Sequence, residues 1–186
     1  RHWYAPWGTP PETLLTGSHP VANGDMHDLA ARHGAQLTHL DRQWNYAAGV
    51  HHPDALHPAH GLSLVPPKTA LWLDAWGERF GPDPMISGFD TRWLVEQVAR
   101  SGDSHSWLVL NRKIALKELG VSGSLYNDAM RERKILPFLL NLIRGNNSLL
   151  NTLSQRCPDW LQANSVAALA QQMNQLAGNN QIDAVR

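Results

Sequence analysis

Ser106-Trp107-Leu108-Val109-Leu110, running directly into Asn111-Arg112-Lys113-Ile114-Ala115-Leu116-Lys117-Glu118-Leu119, marks where this 186-residue chain changes character. The first segment is a short apolar run of the kind that forms a buried strand, and the second reads as a helix over 112–119. Downstream the chain is helical, with further helices expected over roughly 124–143, 147–156 and 165–177. Pro137 should kink or split the first of these, since an interior proline loses a hydrogen bond and clashes, at about 3 kcal/mol. Ser165 is placed to cap the last helix and Gly178 to end it. Residues 182–186 look like the opening of another helix that the chain cuts off.

Upstream the pattern is strand-rich. Leu62-Ser63-Leu64-Val65 is a short strand ending at Pro66-Pro67. Residues 69–74 and 78–80 flank Ala75-Trp76-Gly77, the pattern of a hairpin with glycine where φ must be positive. Residues 35–40 alternate and predict a strand, with Gln43-Trp44-Asn45-Tyr46 extended beyond it. Residues 50–61, broken by Pro53 and Pro58, predict a loop. Asn23-Gly24-Asp25 opens a short helix with Met26, Leu29 and Ala30 on one stripe and Gly34 as its stop, while residues 1–22 read as coil. One helix stands among the strands, begun by Asp90 or Thr91 and running to Arg100, with Trp93, Leu94 and Val98 on one face. Strands before 111 and helices after it give an α+β fold, a small mixed or antiparallel sheet with a helical C-terminal half.

Composition narrows the function. Sixteen Lys and Arg balance sixteen Asp and Glu, which speaks against a nucleic-acid groove or a polybasic membrane patch. No apolar run approaches the ~18 residues of a membrane span. Residues 1–7 lack the apolar region of a signal peptide, and the lone Cys157 excludes an internal disulfide and points to a reducing cytoplasm. No Gly-x-Gly-x-x-Gly, phosphate-cradling loop or Gly-x-Ser-x-Gly occurs, so any nucleotide cradle lies outside this chain.

Nine of the ten His fall in the first 60 residues. His51, His52, His57 and His60, with Asp54 among them, offer imidazoles to a zinc-like ion, yet their spacing matches no standard metal signature, and a solvated loop is the preferred reading: no metal is expected. Ser104-His105-Ser106 lacks the surroundings of a nucleophile. Of the eight Trp, Trp72, Trp93 and Trp107 sit in strand or helix patterns and read as core, whereas Trp3, Trp7 and Trp44 are placed to line a groove for a flat apolar ligand. That second set supports an alternative reading, a non-catalytic aromatic-rich ligand-binding module.

An ordered set of segments carries a resemblance: Gly24-Asp25, Gly34-Ala35-Gln36-Leu37, Leu71-Trp72-Leu73-Asp74, Gly77-Glu78-Arg79-Phe80, Asp90-Thr91-Arg92 and Trp107-Leu108-Val109-Leu110-Asn111, then Asp159, residues 165–170 and Asp183. Together they resemble the fumarate reductase / succinate dehydrogenase / 3-ketosteroid dehydrogenase superfamily of FAD-dependent oxidoreductases, over about residues 16–186. The resemblance implies a hydride transfer between a small organic, ketone- or steroid-like substrate and FAD. It implies a remnant of the FAD-binding domain over 1–45 and a capping or substrate domain over 46–186, truncated at its end. The missing FAD-binding domain of the same parent chain would be this piece's partner. FAD would belong to the parent, and the isolated piece would be inactive. By the same resemblance Gly24 and Asp25 would lie against the cofactor, with Met26 where the family has a second glycine. Tyr46 falls where the dicarboxylate enzymes place a substrate-binding His, and Arg92 resembles the family's active-site Arg; these two are the catalytic candidates.

Overall fold

The computed structural model describes residues 2–19, 21–42, 45–80, 91–103, 105–122, 125–145 and 147–184. The fold is α+β, as expected. After a 3-10 helix at His2–Trp7 come α1 (Asp25–Arg32), β1 (Gly49–His51), β2 (Gly61–Val65), β3 (Leu71–Leu73), α2 (Thr91–Arg100), β4 (Trp107–Val109), α3 (Arg112–Glu118), β5 (Gly120–Val121), α4 (Asp128–Arg131), α5 (Ile135–Arg144), α6 (Asn147–Arg156) and α7 (Val166–Ala177).

Among the described residues, two small antiparallel sheets organise the fold. In the order β1-β2-β5, Val50 faces Leu62 and Leu64 faces Val121. Alternation along β2 turns Leu62 and Leu64 to one face, where Leu149, Leu153 and Cys157 of α6 and its C-terminal extension cover them. Each such leucine contributes about 1.5–3 kcal/mol by leaving water. The second sheet pairs β3 with β4, and the chain folds back after β3 so that Leu73 bridges Arg79. Gly77, at φ +85, makes that turn. Trp72 is buried here, its indole N–H donating to Ser106 Oγ at 2.9 Å.

The helix ends follow local chemistry. Asn111 caps α3 by accepting from the Ile114 amide at 3.0 Å, and Ser165 caps α7 by accepting from the Ala168 amide at 3.2 Å. Gly178, at φ +69, closes α7. The helix expected over 124–143 is two helices, and the break falls before Pro137 rather than at it. A proline ring clashes with the carbonyl four residues earlier, here that of Arg133, so the chain leaves the helix there. Arg133 takes φ +55 and Lys134 N–H reaches back to the Ala129 carbonyl at 2.8 Å, closing α4. Pro137 then sits in the first turn of α5, where its missing N–H costs nothing.

Four expectations need correction. Residues 35–40 are not a strand: no described strand pairs with them, and all but Leu37 are exposed. Residues 50–61 are not wholly loop, because β1 takes Val50 and His51 into the sheet. Residues 1–22 are not coil throughout, since His2–Trp7 is helical and Thr16 bridges His60. Residues 182–184 do not begin a helix; Ile182 is instead held by Asn174, whose side chain accepts from its amide at 2.9 Å and donates to its carbonyl at 2.8 Å. Trp44, Asp90 and Ser104, and the side chain of Trp3, lie outside the described residues.

Candidate functional site

Gly24 and Asp25 open α1. Gly24 occupies the capping position at φ +94, without a side-chain cap. Asp25 is exposed, and its carboxylate accepts from the Asn23 side-chain amide at 2.9 Å. No residue of α1 is buried: Met26 and Leu29, the expected inward stripe, are 73% and 45% exposed. Tyr46 stands just before β1, and its phenol oxygen accepts from Ser122 Oγ at 3.3 Å. Ser122 is itself fixed to the sheet, donating its amide to the Ser63 carbonyl at 3.0 Å. Arg92 is exposed in the first turn of α2, a helix that packs against the 3-10 helix. Asp25, Tyr46 and Arg92 thus stand on three separate parts of the chain: the start of α1, the segment before β1 and the first turn of α2.

Adjoining Tyr46's sheet, the His-rich loop and Asp54 join a polar cluster with Tyr126 and Arg156, two residues that sequence reasoning missed. The Asp54 carboxylate accepts from Tyr126 Oη at 2.7 Å and pairs with Arg156 at the end of α6. His52 and His60 stack face to face, centroids 4.2 Å apart and planes 3° from parallel, and His57 stacks on His60 at 4.9 Å. His52 Nδ1 accepts the Asp54 amide at 2.9 Å and His60 Nδ1 accepts the Leu56 amide at 3.1 Å. A ring nitrogen that accepts from an N–H carries no proton, so these bonds select the neutral Nε2–H tautomer of both rings. Burial pushes His52 below its ordinary value, helped by Arg156; burial also lowers His60, helped by His52 and His57. Just before His52, at the end of β1, His51 is gripped by Asp159, which accepts from its amide at 2.6 Å and from Nδ1 at 2.8 Å.

The imidazoles therefore brace the 52–60 loop from within, with both Nδ1 lone pairs spent on backbone amides of the loop. Among the described residues, no group of three or more His, Cys, Asp or Glu is placed to hold a metal ion. Nothing in the chain's pattern signals the Tyr126–Asp54–Arg156 link, whose partners are 72 and 102 residues apart.

Beside this cluster opens a cleft of about 180 Å³, walled by Leu116, Leu119, Val121, Leu125, Tyr126 and Phe138. Tyr126 spans the two features: its hydroxyl is held by Asp54 while its ring forms part of the wall, and it takes the unusual φ of +59. Ser122, which carries the Tyr46 hydrogen bond, directly follows cleft-lining Val121. The arrangement offers an apolar wall with two phenols at its margin. Among the described tryptophans only Trp76 is largely exposed, so they form no aromatic row on a surface.

Comparison with known proteins gives the chain its relatives. It is 34% identical, over 177 residues, to a KsdD-like steroid dehydrogenase of Mycobacterium tuberculosis (strain CDC 1551 / Oshkosh), a match covering 95% of this chain and 31% of the relative. It is 32% identical over 176 residues to a KsdD-like steroid dehydrogenase of Mycolicibacterium smegmatis, covering 95% of this chain and 32% of that one. The chain thus spans about a third of the length of the curated relatives it matches. No family model and no solved structure matches it.

Proposed function

We propose that along 95% of its length this chain belongs with the KsdD-like steroid dehydrogenases it matches, and through them with the 3-ketosteroid dehydrogenase branch of the FAD-dependent oxidoreductases. The reading is a substrate-side part of such a dehydrogenase, acting on a ketone- or steroid-like molecule, and the sequence identity carries it. FAD, when bound, supplies the acceptor or donor of hydride; the protein supplies position and protons.

The residues present fit the edge of a flavin site rather than a whole one. A side chain added at Gly24 would meet nothing within 4 Å, and Asp25 beside it is exposed, so a cofactor can approach this corner. The Gly-rich pyrophosphate cradle is not in this chain. On this reading residues 21–42, which stay outside both cores, belong to the flavin side, whereas Thr16 and the 3-10 helix pack with the cap. The proposed boundary at residue 45 thus applies to the α1 region more than to the first sixteen residues.

Tyr46 is the proposed proton carrier. Tyr46 is 43% exposed, and a phenol positioned by Ser122 can donate a proton to a substrate carbonyl. Arg92 would offer positive charge to the same substrate only if the flavin side brings α2 and Tyr46 to one cleft. Without that side this chain is expected to be inactive, and the single Cys157 fits a cytoplasmic setting.

The test is anaerobic mixing of the intact flavoprotein with a 3-ketosteroid. Bleaching of the flavin is expected, slowed roughly 10²–10⁴-fold in Tyr46→Phe. No bleaching with any steroid overturns the substrate class; bleaching at an unchanged rate in Tyr46→Phe removes Tyr46 alone.

A further inference from the structure

Net neutrality hides a segregation of charge. Residues 112–156 contain eight Lys and Arg but three Asp and Glu, a net +5, so the rest of the chain carries −5. The three acids are already engaged. Glu118 accepts from Thr69 at 2.8 Å, Asp128 pairs with Arg131, and Glu132 pairs with Lys134.

Within this basic block lies α5, the most apolar of the described helices. Ile135, Leu136, Leu139, Leu140 and Ile143 are 74%, 74%, 49%, 41% and 73% exposed. At 100° per residue they share one arc of about 140°. Phe138 and Asn141 turn the other way and line the cleft, so the stripe faces away from it, with Ile135, Leu136 and Ile143 largely exposed. Basic side chains flank the stripe: Arg133 stands ahead of it and Arg144 in its last turn, with Arg131 and Lys134 nearby in ion pairs with Asp128 and Glu132.

We propose that the outer face of α5 seats this protein on an anionic lipid bilayer. An apolar stripe bordered by Lys and Arg is what lies in a membrane interface, the stripe in the acyl boundary and the cations at the headgroups. Charge argues against the other occupants. A nucleic acid has no use for five aliphatic side chains. A second copy meeting α5 to α5 would oppose two +5 blocks across a symmetric contact. The inference is independent of Tyr46 and of the substrate, although an apolar substrate dissolved in the same bilayer would gain a short path to the cleft behind α5.

The test uses the intact protein and flotation with two vesicle types, phosphatidylcholine alone and phosphatidylcholine with phosphatidylglycerol. Binding is expected only to the anionic vesicles, and added salt should weaken it. Arg133→Ala and Arg144→Ala should each weaken it about fivefold, and Ile143→Asp at least roughly tenfold, with unchanged thermal unfolding. As a second readout, an environment-sensitive fluorophore is attached at Ile143→Cys, the native Cys157 being only 6% exposed. A blue shift on adding anionic vesicles supports the proposal. Absence of binding overturns it. So does emission already blue-shifted in dilute protein, which means the protein's own chain covers α5, and so does a shift that grows with protein concentration without lipid, which means self-association.

Discussion

Gly145 joins α5 to α6, and replacing it with alanine tests the packing that holds the cleft in shape. Its backbone lies at φ +89 and ψ 159, a region open essentially to glycine alone. An added Cβ would stand 2.4 Å from the Leu116 carbonyl oxygen and 3.0 Å from the Leu116 Cβ. A normal carbon–oxygen approach is about 3.3 Å, so α3 would have to withdraw by roughly 1 Å from the α5–α6 corner. Backbone strain contributes about 1–3 kcal/mol, and forced overpacking another ~1–3 kcal/mol. The expected loss is about 4 kcal/mol, a large share of the 5–15 kcal/mol typical of a folded domain. With unfolding entropy near 2.1 cal/mol/K per residue, that loss lowers the melting temperature by about 10 °C in a chain of this length. Gly102→Ala is the comparison, because Gly102 also has a positive φ, +81, but a Cβ there meets nothing within 4 Å. It should lose only about 1 kcal/mol, the backbone part. Urea or thermal unfolding of the two variants side by side decides the matter. Equal losses would mean that α3 does not press on Gly145 and that the cleft wall is misdrawn.

Three further outcomes are expected. Leu153→Ala, at a residue with no exposed surface, should cost about 3–5 kcal/mol in urea unfolding, against under 1 kcal/mol for the exposed Leu56→Ala. His52 and His60 both sit below their ordinary value in the folded state, so the unfolded chain takes up more protons; stability is full above about pH 6.5 and falls as pH drops below it. A His60→Phe variant, which keeps the stack and removes the titration, should show a flatter pH dependence. Burial raises the Cys157 thiol, so a thiol reagent should modify it at least roughly 100-fold faster in urea than in the native protein.

What could be read in the sequence was what is decided locally. Ser165 and Gly178 bound α7 because a hydroxyl and a positive φ do their work within one turn. Leu62 and Leu64 announced β2 because alternation around a single serine has few other uses. The break between α4 and α5 was expected from Pro137, but its position needed the ring's clash four residues upstream. The strand read over 35–40 shows the limit, because alternation is local while a strand exists only where a partner edge reaches it. The two-residue β5 had no signal of its own and exists because β2 offers it an edge. The candidate site was legible only as an inventory. Four imidazoles in ten residues invited a metal, yet whether they converge or stack depends on the amides of Asp54 and Leu56, and those on how the loop folds. Tyr126 in a left-handed conformation, held by Asp54, is invisible to any rule based on spacing.

Charge shows the same distinction between an average and an arrangement. Sixteen cations against sixteen anions exclude an anionic partner only if they are mixed on the scale over which their fields act, about 8–10 Å at physiological salt. They are not mixed along this chain, where one block of 45 residues holds half of the cations. The acids of that block are tied within about one helical turn or across to Thr69, which leaves the field around α5 to Arg133 and Arg144. The same block carries the longest exposed aliphatic stripe among the described residues. A helix of this composition in water costs solubility, and α5 keeps it on the side facing away from the cleft. Apolar surface and cations set together on one face, with the cleft behind it, are therefore better explained by a partner that takes both at once than by two unrelated accidents of composition.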